Sequence, residues 1–316
     1  MARLPGSRLP TADSRVRRFR AVSGILLLDK PLGMSSNQAL QKARHLFEAD
    51  KAGHTGSLDP LATGLLPVCF GEATKIAGHL LGARKAYRAE LQLGLTTSTD
   101  DAEGDALVRR PVPPLSEAAI ETALAGLRGR IVQVPPVYSA IKQGGVALYK
   151  RARRGEDVHV PPRAVEIHRL VLLEHTPERL VLEVECGSGT YVRSLARDLG
   201  EALGCGAHLS ALRRLWVDPF RAPAMVTLEA LARLKSETGL AALDALLLPI
   251  ETGLSGLPEL RLDGEQSQAL RQGKRLSMPH WRDVALGRAI GPDGRLIALV
   301  RGDASGTVSV LRGFNA

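Results

Sequence analysis

The residues best placed to do chemistry lie in one run, Gly53-His54-Thr55-Gly56-Ser57-Leu58-Asp59-Pro60-Leu61-Ala62-Thr63-Gly64. It joins one imidazole and one carboxylate to hydroxyls and glycines. Glycine reaches backbone angles that other residues resist, so this spacing predicts a tightly turned loop. Such a loop can hold Asp59 toward a ligand while its flanks stay rigid, and the carboxylate can then act as a nucleophile or as a base. The same residues also make an ordinary surface turn, because Asp-Pro within a Gly/Ser/Thr cluster is a common turn initiator.

Other stretches carry chemical potential of their own. Tyr87, in Lys85-Ala86-Tyr87-Arg88, is either a core residue or a flat platform for an extruded base. Gly187-Ser188-Gly189-Thr190 precedes a helical pattern that holds Tyr191 and Arg193. Strand, Gly-x-Gly and helix open a dinucleotide-binding unit, but Val192 stands where the third glycine belongs. A nucleotide-dependent methyltransferase therefore stays open as a rival. Residues 96–105 hold four carboxylates, yet they lack the ligand order and terminal Glu of a calcium loop, which argues against a metal site there. No HExxH, phosphate-binding loop or Cys/His cluster is present. Between 142 and 163, six cations face Glu156 and Asp157, interleaved with tyrosine and glycine. That is either a solvated basic face or a grip on a nucleic-acid backbone.

The elements that must position these groups are legible in the hydropathy pattern. Gly24 to Pro31 reads as a buried strand stopped by a turn, and Ser35 or Ser36 can cap the helix after it. Ala39, Leu40, Ala43, Leu46 and Phe47 share one face of that helix, which leads into the Asp59 loop. Leu65–Phe70 reads as a strand, Glu72–Leu81 as a short helix, and Lys85–Gly94 as a further strand. Leu180–Cys186 is a strand and Tyr191–Leu203 a helix, with Val192, Leu195, Ala196, Leu199 and Leu203 on its apolar face. An Ala/Leu-rich helical pattern covers 227–247, and Thr252–Pro258 reads as a linker. From 259 on, short β-like runs separated by glycines, with one helical stretch at Asp263–Arg271, predict a small β-barrel.

At 316 residues the chain is long enough for two domains. Its net charge of +9 suits a polyanionic partner. Six arginines in residues 1–22 supply much of that excess, in a Pro-containing, apolar-poor stretch read as a disordered basic tail. No apolar run is long enough to span a bilayer, and residues 1–22 lack the apolar core of a signal peptide. Cys69, Cys186 and Cys205 have no metal-ligand spacing and suit a reducing cytoplasm as small buried residues.

The Asp59 loop resembles, along nearly its whole length, the catalytic loop of the TruB family, the bacterial tRNA pseudouridine-55 synthases. The resemblance extends to Asp29-Lys30-Pro31 with Gly33-Met34-Ser35-Ser36-Asn37, to Lys85-Ala86-Tyr87-Arg88, and to Gly189-Thr190-Tyr191-Val192-Arg193 with Leu203–Leu209 and Leu212-Arg213-Arg214. These motifs run in the family's order over about residues 23–215, and the likeness fades beyond. Residues 133–163 resemble the family's mobile insertion that closes over tRNA. Ala147 departs there from the expected Arg, which puts one backbone contact in doubt.

The resemblance implies an α+β fold: a mixed, mostly antiparallel sheet flanked by helices over 23–250, then a PUA-like RNA-binding β-barrel over 255–316. It implies isomerisation of uridine 55 in the T-loop of tRNA by base flipping, a reaction that needs no redox cofactor, ATP or metal. Asp59 is then the essential carboxylate, and Arg193 the partner that holds it ionised. Tyr87 stacks on the uracil, and Tyr191 is either a proton carrier or a buried structural hydrogen-bonder. RNA contacts fall to His54, Thr55, Lys30, Lys142, Tyr149 and Arg151, with His54 filling the space left by the flipped nucleotide. The expected partner is the tRNA T-arm, with no membrane and no obligatory protein partner, for a cytoplasmic monomer. The runner-up is a tRNA-binding or RNA-folding protein that keeps the scaffold without depending on catalysis.

Overall fold

The computed structural model describes residues 19–139, 142–148, 151, 154–156 and 158–315. Strand β1 (Gly24–Lys30) leads to helix α1 (Ser36–Leu46), short β2 (Ala52–His54) and β3 (Ala62–Phe70). A 3₁₀ turn, Gly71–Ile76, runs into α2 (Ala77–Leu81), then β4 (Lys85–Leu93) and the hairpin β5 (Leu95–Thr97) and β6 (Ala106–Arg109). Next come α3 (Glu117–Ala125), β7 (Gly129–Gln133), the small pair β8 (Lys142–Gln143) and β9 (Val146–Ala147), β10 (Arg163–Thr176) and β11 (Arg179–Cys186). Helix α4 (Val192–Ala202) and β12 (Ala207–Val217) complete the elements around the site. β13 (Val226–Thr227), α5 (Leu228–Thr238) and α6 (Leu240–Asp244) follow.

One nine-stranded sheet carries the fold, in the order β13-β1-β3-β12-β4-β11-β10-β7, with β2 beside β3. Every pairing is antiparallel except β1 with β13 and β3 with β12. β11 is thus antiparallel to both neighbours, β10 and β4. A dinucleotide-binding unit needs a parallel strand at that place, so the Gly187-x-Gly189 rival is not borne out.

Two cores lie on this sheet. Leu195, Ala196 and Leu199 of α4 pack against Ala89 and Leu91 of β4, Leu182 of β11 and Leu209 of β12. In the second, Ala39, Ala43 and Phe47 of α1 meet Leu26, Leu66 and Phe70, where Phe47 and Phe70 stack at 4.8 Å. Burying each such leucine or phenylalanine is worth roughly 1.5–3 kcal/mol, enough to lock strand register. The sheet is therefore rigid where β4 and β12 meet. Close approach adds to this at Gly64, whose φ is +97° and where a Cβ would lie 2.2 Å from the Arg214 carbonyl oxygen.

The C-terminal part is a second sheet of β14 (Glu259–Arg261), β15 (Leu276–Ser277), β16 (Gly287–Ile290), β17 (Leu296–Gly302) and β18 (Thr307–Gly313). Its strand order is β14-β16-β17-β18-β15. Helix α7 (Gly264–Arg271) accompanies it, capped by Asp263 with a reciprocal Gln266 contact.

Several boundaries differ from the sequence expectation. β3 begins three residues earlier, at Ala62, because its first residues pair with Leu212–Arg214 of β12. The helical pattern at 227–247 breaks at Gly239, whose φ of +82° ends α5. The stretch expected as a linker packs: Leu254 is fully buried, among Ile25, Ile76, Ile290 and Phe314. Residues 1–18 of the basic tail lie outside the described residues. Arg20, counted with that tail, instead grips Asp244 through both guanidinium nitrogens at 2.5 and 2.6 Å.

Candidate active site

Alternation along β4 sends Lys85 and Tyr87 to the same face as Ala89 and Leu91. Register places Arg214 of β12 directly beside Tyr87. These side chains wall a cavity of about 410 Å³. The Asp59 loop closes one side of it, and the Gly187–Arg193 segment the other.

The loop is held by backbone-directed contacts. Ser36, the first residue of α1, accepts from Leu58 N at 2.7 Å and donates to Leu58 O at 3.0 Å. The cap of α1 is the neighbouring Ser35, in a reciprocal pair with Gln38, so Ser36 is free for this second task. Gly33 N donates to Pro60 O at 2.9 Å. Arg214, almost fully buried, donates from Nε to Leu65 O at 2.6 Å and from Nη2 to Gly56 O at 3.1 Å. Gly56 itself has φ +111°, a conformation that favours glycine at the turn. Together these contacts fix the backbone on both sides of Asp59.

Asp59 faces Arg193, with Oδ2 3.0 Å from Nε. The Nε hydrogen is not aimed at that oxygen, so the contact is one of charge. The guanidinium plane is set by its other nitrogens, which donate to Thr99 O at 3.0 Å and Tyr138 O at 2.9 Å. Asp101 adds a second carboxylate at 3.5 Å from Nη1. Thr99 Oγ1 donates to Asp101 Oδ1 at 2.5 Å, and Glu103 N donates to the same oxygen at 3.0 Å. The acidic stretch 96–105 is therefore a structural turn, and its work is to hold Arg193.

Burial pushes the Asp59 carboxyl above its ordinary value; Arg193 opposes that push, Asp101 adds to it and Lys30 opposes it. Arg193, expected to hold Asp59 ionised despite burial, is the largest influence against that burial. The Asp59 side chain still keeps 45% of its accessible area toward the cavity mouth, so water shares its solvation. Burial likewise raises the Tyr87 phenol, which stays protonated beside the Arg214 guanidinium. Lys85 lines the cavity with its ammonium donating to Leu81 O at 3.1 Å and Ala83 O at 2.6 Å, and burial lowers it to about 8.

Asp59, Tyr87, Tyr191 and Arg193 all line this one cavity. The expected RNA contacts are less uniform. Lys30 has no exposed surface and donates to Pro31 O at 2.9 Å and to Met34 O. This corrects its expected role: a fully enclosed ammonium cannot reach a phosphate, and it braces the turn after β1 instead. Burial lowers its pKa to about 8. Thr55 is fully buried on the far side of the loop, and the half-buried His54 ring is pushed toward its neutral form by burial and by Arg214. Arg151 pairs with Glu156 at 2.6 Å. Tyr149 and the side chain of Lys142 lie outside the described residues.

Sequence reasoning passed over Ser36 as anything but a possible cap, and over Lys85, Arg163 and Asp101. It quoted Arg214 inside a motif without a role. The available signal for Arg214 was its place two residues beyond Leu212 on a strand, which puts both on one face.

The description TruB family pseudouridylate synthase (N terminal domain) matches residues 44–192. That of the tRNA pseudouridylate synthase B C-terminal domain matches 193–255, and that of tRNA Pseudouridine synthase II, C terminal, matches 257–312. The chain is 58% identical over 297 residues to a tRNA pseudouridine synthase B of Xanthomonas campestris pv. campestris (strain B100), covering 94% of this chain and 96% of that protein. A tRNA pseudouridine synthase B of Xylella fastidiosa (strain Temecula1 / ATCC 700964) is 54% identical over 300 residues, covering 94% and 97%. Among solved structures, a Cbf5-Nop10-Gar1 complex includes a chain that superposes with a TM-score of 0.73 at 26% identity, over 95% of this chain and 86% of that one. An H/ACA RNP bound to a substrate RNA containing 2′-deoxyuridine gives 0.73 at 24% identity, over 93% and 85%.

Proposed function

The chain belongs to the TruB family of pseudouridine synthases and isomerises uridine to pseudouridine in tRNA; from that premise we propose that it acts at position 55 in the T-loop, with Asp59 as the essential group. The observation that carries this reading is the Asp59–Arg193 pair, 3.0 Å apart, on the wall of a cavity that also holds Tyr87. The cavity volume lies within the roughly 300–1,000 Å³ of small-ligand sites. A base inside a helical stack cannot reach such a pocket, so the uridine must be turned out of the RNA. That extrusion costs least where the base already sits in a loop.

In the reaction the C1′–N1 bond breaks, the uracil turns, and C5 joins C1′. The proton lost from C5 is balanced by one gained at N1, so the step is redox-neutral. Asp59 acts at C1′, at the uracil ring or at the 2′ proton, and each route needs it ionised. Arg193 and Lys30 favour that state against burial. Tyr87, a neutral phenol on a rigid strand, backs the uracil face, and Tyr191 stands across the cavity near the proton-transfer path.

On the same reading residues 23–250 form the catalytic unit, the insertion at about 133–163 grips the RNA backbone, and 255–316 bind RNA as a PUA-like module. The protein works as a cytoplasmic monomer on the T-arm. No helix among the described residues is long and apolar enough to cross a membrane. The position is tested by mapping pseudouridine in a tRNA transcript treated with the protein. A single product at 55, absent when that uridine is replaced by cytidine, is expected; modification elsewhere in the transcript would contradict the assignment.

A further inference from the structure

Helix α4 begins without a side-chain cap from Tyr191, the residue that precedes it. The groups at its start are met from another element. Gln133, the last residue of β7, is fully buried. Its Oε1 accepts from Tyr191 N at 2.9 Å and its Nε2 donates to Tyr191 O at 3.0 Å. Gln133 pairs in the sheet with Arg163, the first residue of β10. Arg163 lays its guanidinium over the Tyr191 ring at 4.8 Å and donates to the Gly189 carbonyl. The two residues that open and close segment 134–162 thus hold one residue from two sides.

The next turn of α4 holds the root of that segment in return. Ser194 Oγ and Arg197 Nη2 both donate to Val134 O, at 2.8 and 2.9 Å. Arg193, which faces Asp59, donates to Tyr138 O. A helix turns about 100° and rises 1.5 Å per residue, so a small slip of the first turn swings Arg193 out of line. A buried amide whose two ends bind the backbone on either side of one residue prevents that slip.

We propose that Gln133 is a positioning residue that, with Arg163, fixes the first turn of α4 so that Arg193 meets Asp59, and so couples the seating of the root at 134–139 to the alignment of the carboxylate. This rests on the roles given above to Asp59 and to the segment. The titratable and charged groups around Asp59 are Arg193 from α4, Asp101 and Glu103 from the β5–β6 turn, Lys30 from β1 and the Tyr87 phenol from β4. Loosening Arg193 removes an influence that holds the carboxyl down, while Asp101 and Lys30 stay in place.

The test compares Gln133→Leu and Gln133→Glu with wild type, by single-turnover rate at saturating tRNA, tRNA Kd and the pH dependence of the rate. Gln133→Leu is expected to slow the single turnover by on the order of tenfold to a hundredfold, with Kd changed less than about threefold. Its acid limb is expected to move to higher pH. Gln133→Glu, which keeps the acceptor for Tyr191 N, is expected to fall between. If Gln133→Leu does not fold, Arg163→Met carries the test with the same expected direction. A folded variant with the wild-type rate and acid limb overturns the proposal, as does a slowed one whose acid limb has not moved. Asp59→Asn runs beside them: activity there would sink the reading of Asp59 itself, whereas an inactive Asp59→Asn with an unaffected Gln133→Leu sinks only the role of Gln133.

Discussion

The Asp59 loop and the 133–163 region both carry family-like motifs, yet their described residues are held on opposite principles. The loop is clamped from beneath: Ser36, Gly33 and Arg214 each bond its backbone, and Leu58 is buried in the core. Among its described residues the segment has a small cluster of its own, Leu148, Val158 and Val160, and is tied at its roots by Gln133, Arg163, Ser194 and Arg197. Chemistry needs a carboxylate held to a fraction of an ångström, whereas gripping a polyanion needs charge near a flexible backbone. On this contrast, damage to the loop, or to the root ties that align α4, should appear in the rate, and damage to the cations carried by the segment in affinity.

The largest expected effect within that contrast is Arg193→Met. Removing Arg193 leaves Asp59 with the weaker counter-charge of Lys30, and a single-turnover loss on the order of a thousandfold is expected. Arg193 holds the Asp59 carboxyl down, so its removal raises that group further. Activity needs the ionised form and is lost as pH falls through this raised value, so the acid limb should move to higher pH. Ser36→Ala comes next. It frees Leu58 on both sides and should cost roughly ten- to a hundredfold in single-turnover rate with little change in Kd. Equal losses in rate and affinity for this variant would break the contrast.

Arg151→Ala probes the other side. It should weaken tRNA binding about three- to tenfold and lower the salt slope of log K by roughly one, leaving the saturated single-turnover rate alone. The smallest effect on affinity is expected for Lys30→Met. Its two backbone acceptors would be left without a partner, so thermal unfolding should come earlier by the equivalent of about 1–3 kcal/mol. Its tRNA Kd should stay within about twofold of wild type, because its ammonium is enclosed. Weakened binding by this variant would restore Lys30 to the RNA contacts.

What the sequence disclosed follows from how local each feature is. The β1–α1 unit and the Asp59 loop are contiguous, with glycine spacing and helical periodicity that speak for themselves. Arg193 lies 134 positions from Asp59, so their pairing could be named only through family resemblance. Ser36 was visible as a hydroxyl at a helix start, a place where capping is the usual explanation; its bonds to Leu58 depend on how the loop folds back. Lys30, a cation at a strand end before Pro, gave no sign of burial, which arises only when the Met34 turn closes over it. The linker expected at 252–258 looks like one for its Gly and Ser content, while Leu254 is claimed by a core shared with residues as far on as Phe314.

The most direct test uses tRNA tritiated at C5 of its uridines, since forming the C5–C1′ bond releases that label. Wild type and Asp59→Asn would be compared for release in a single turnover and for tRNA binding. Release by wild type alone, with equal binding by both proteins, is the expected result. Release by Asp59→Asn at a rate near wild type would contradict the placement of the chemistry in this loop.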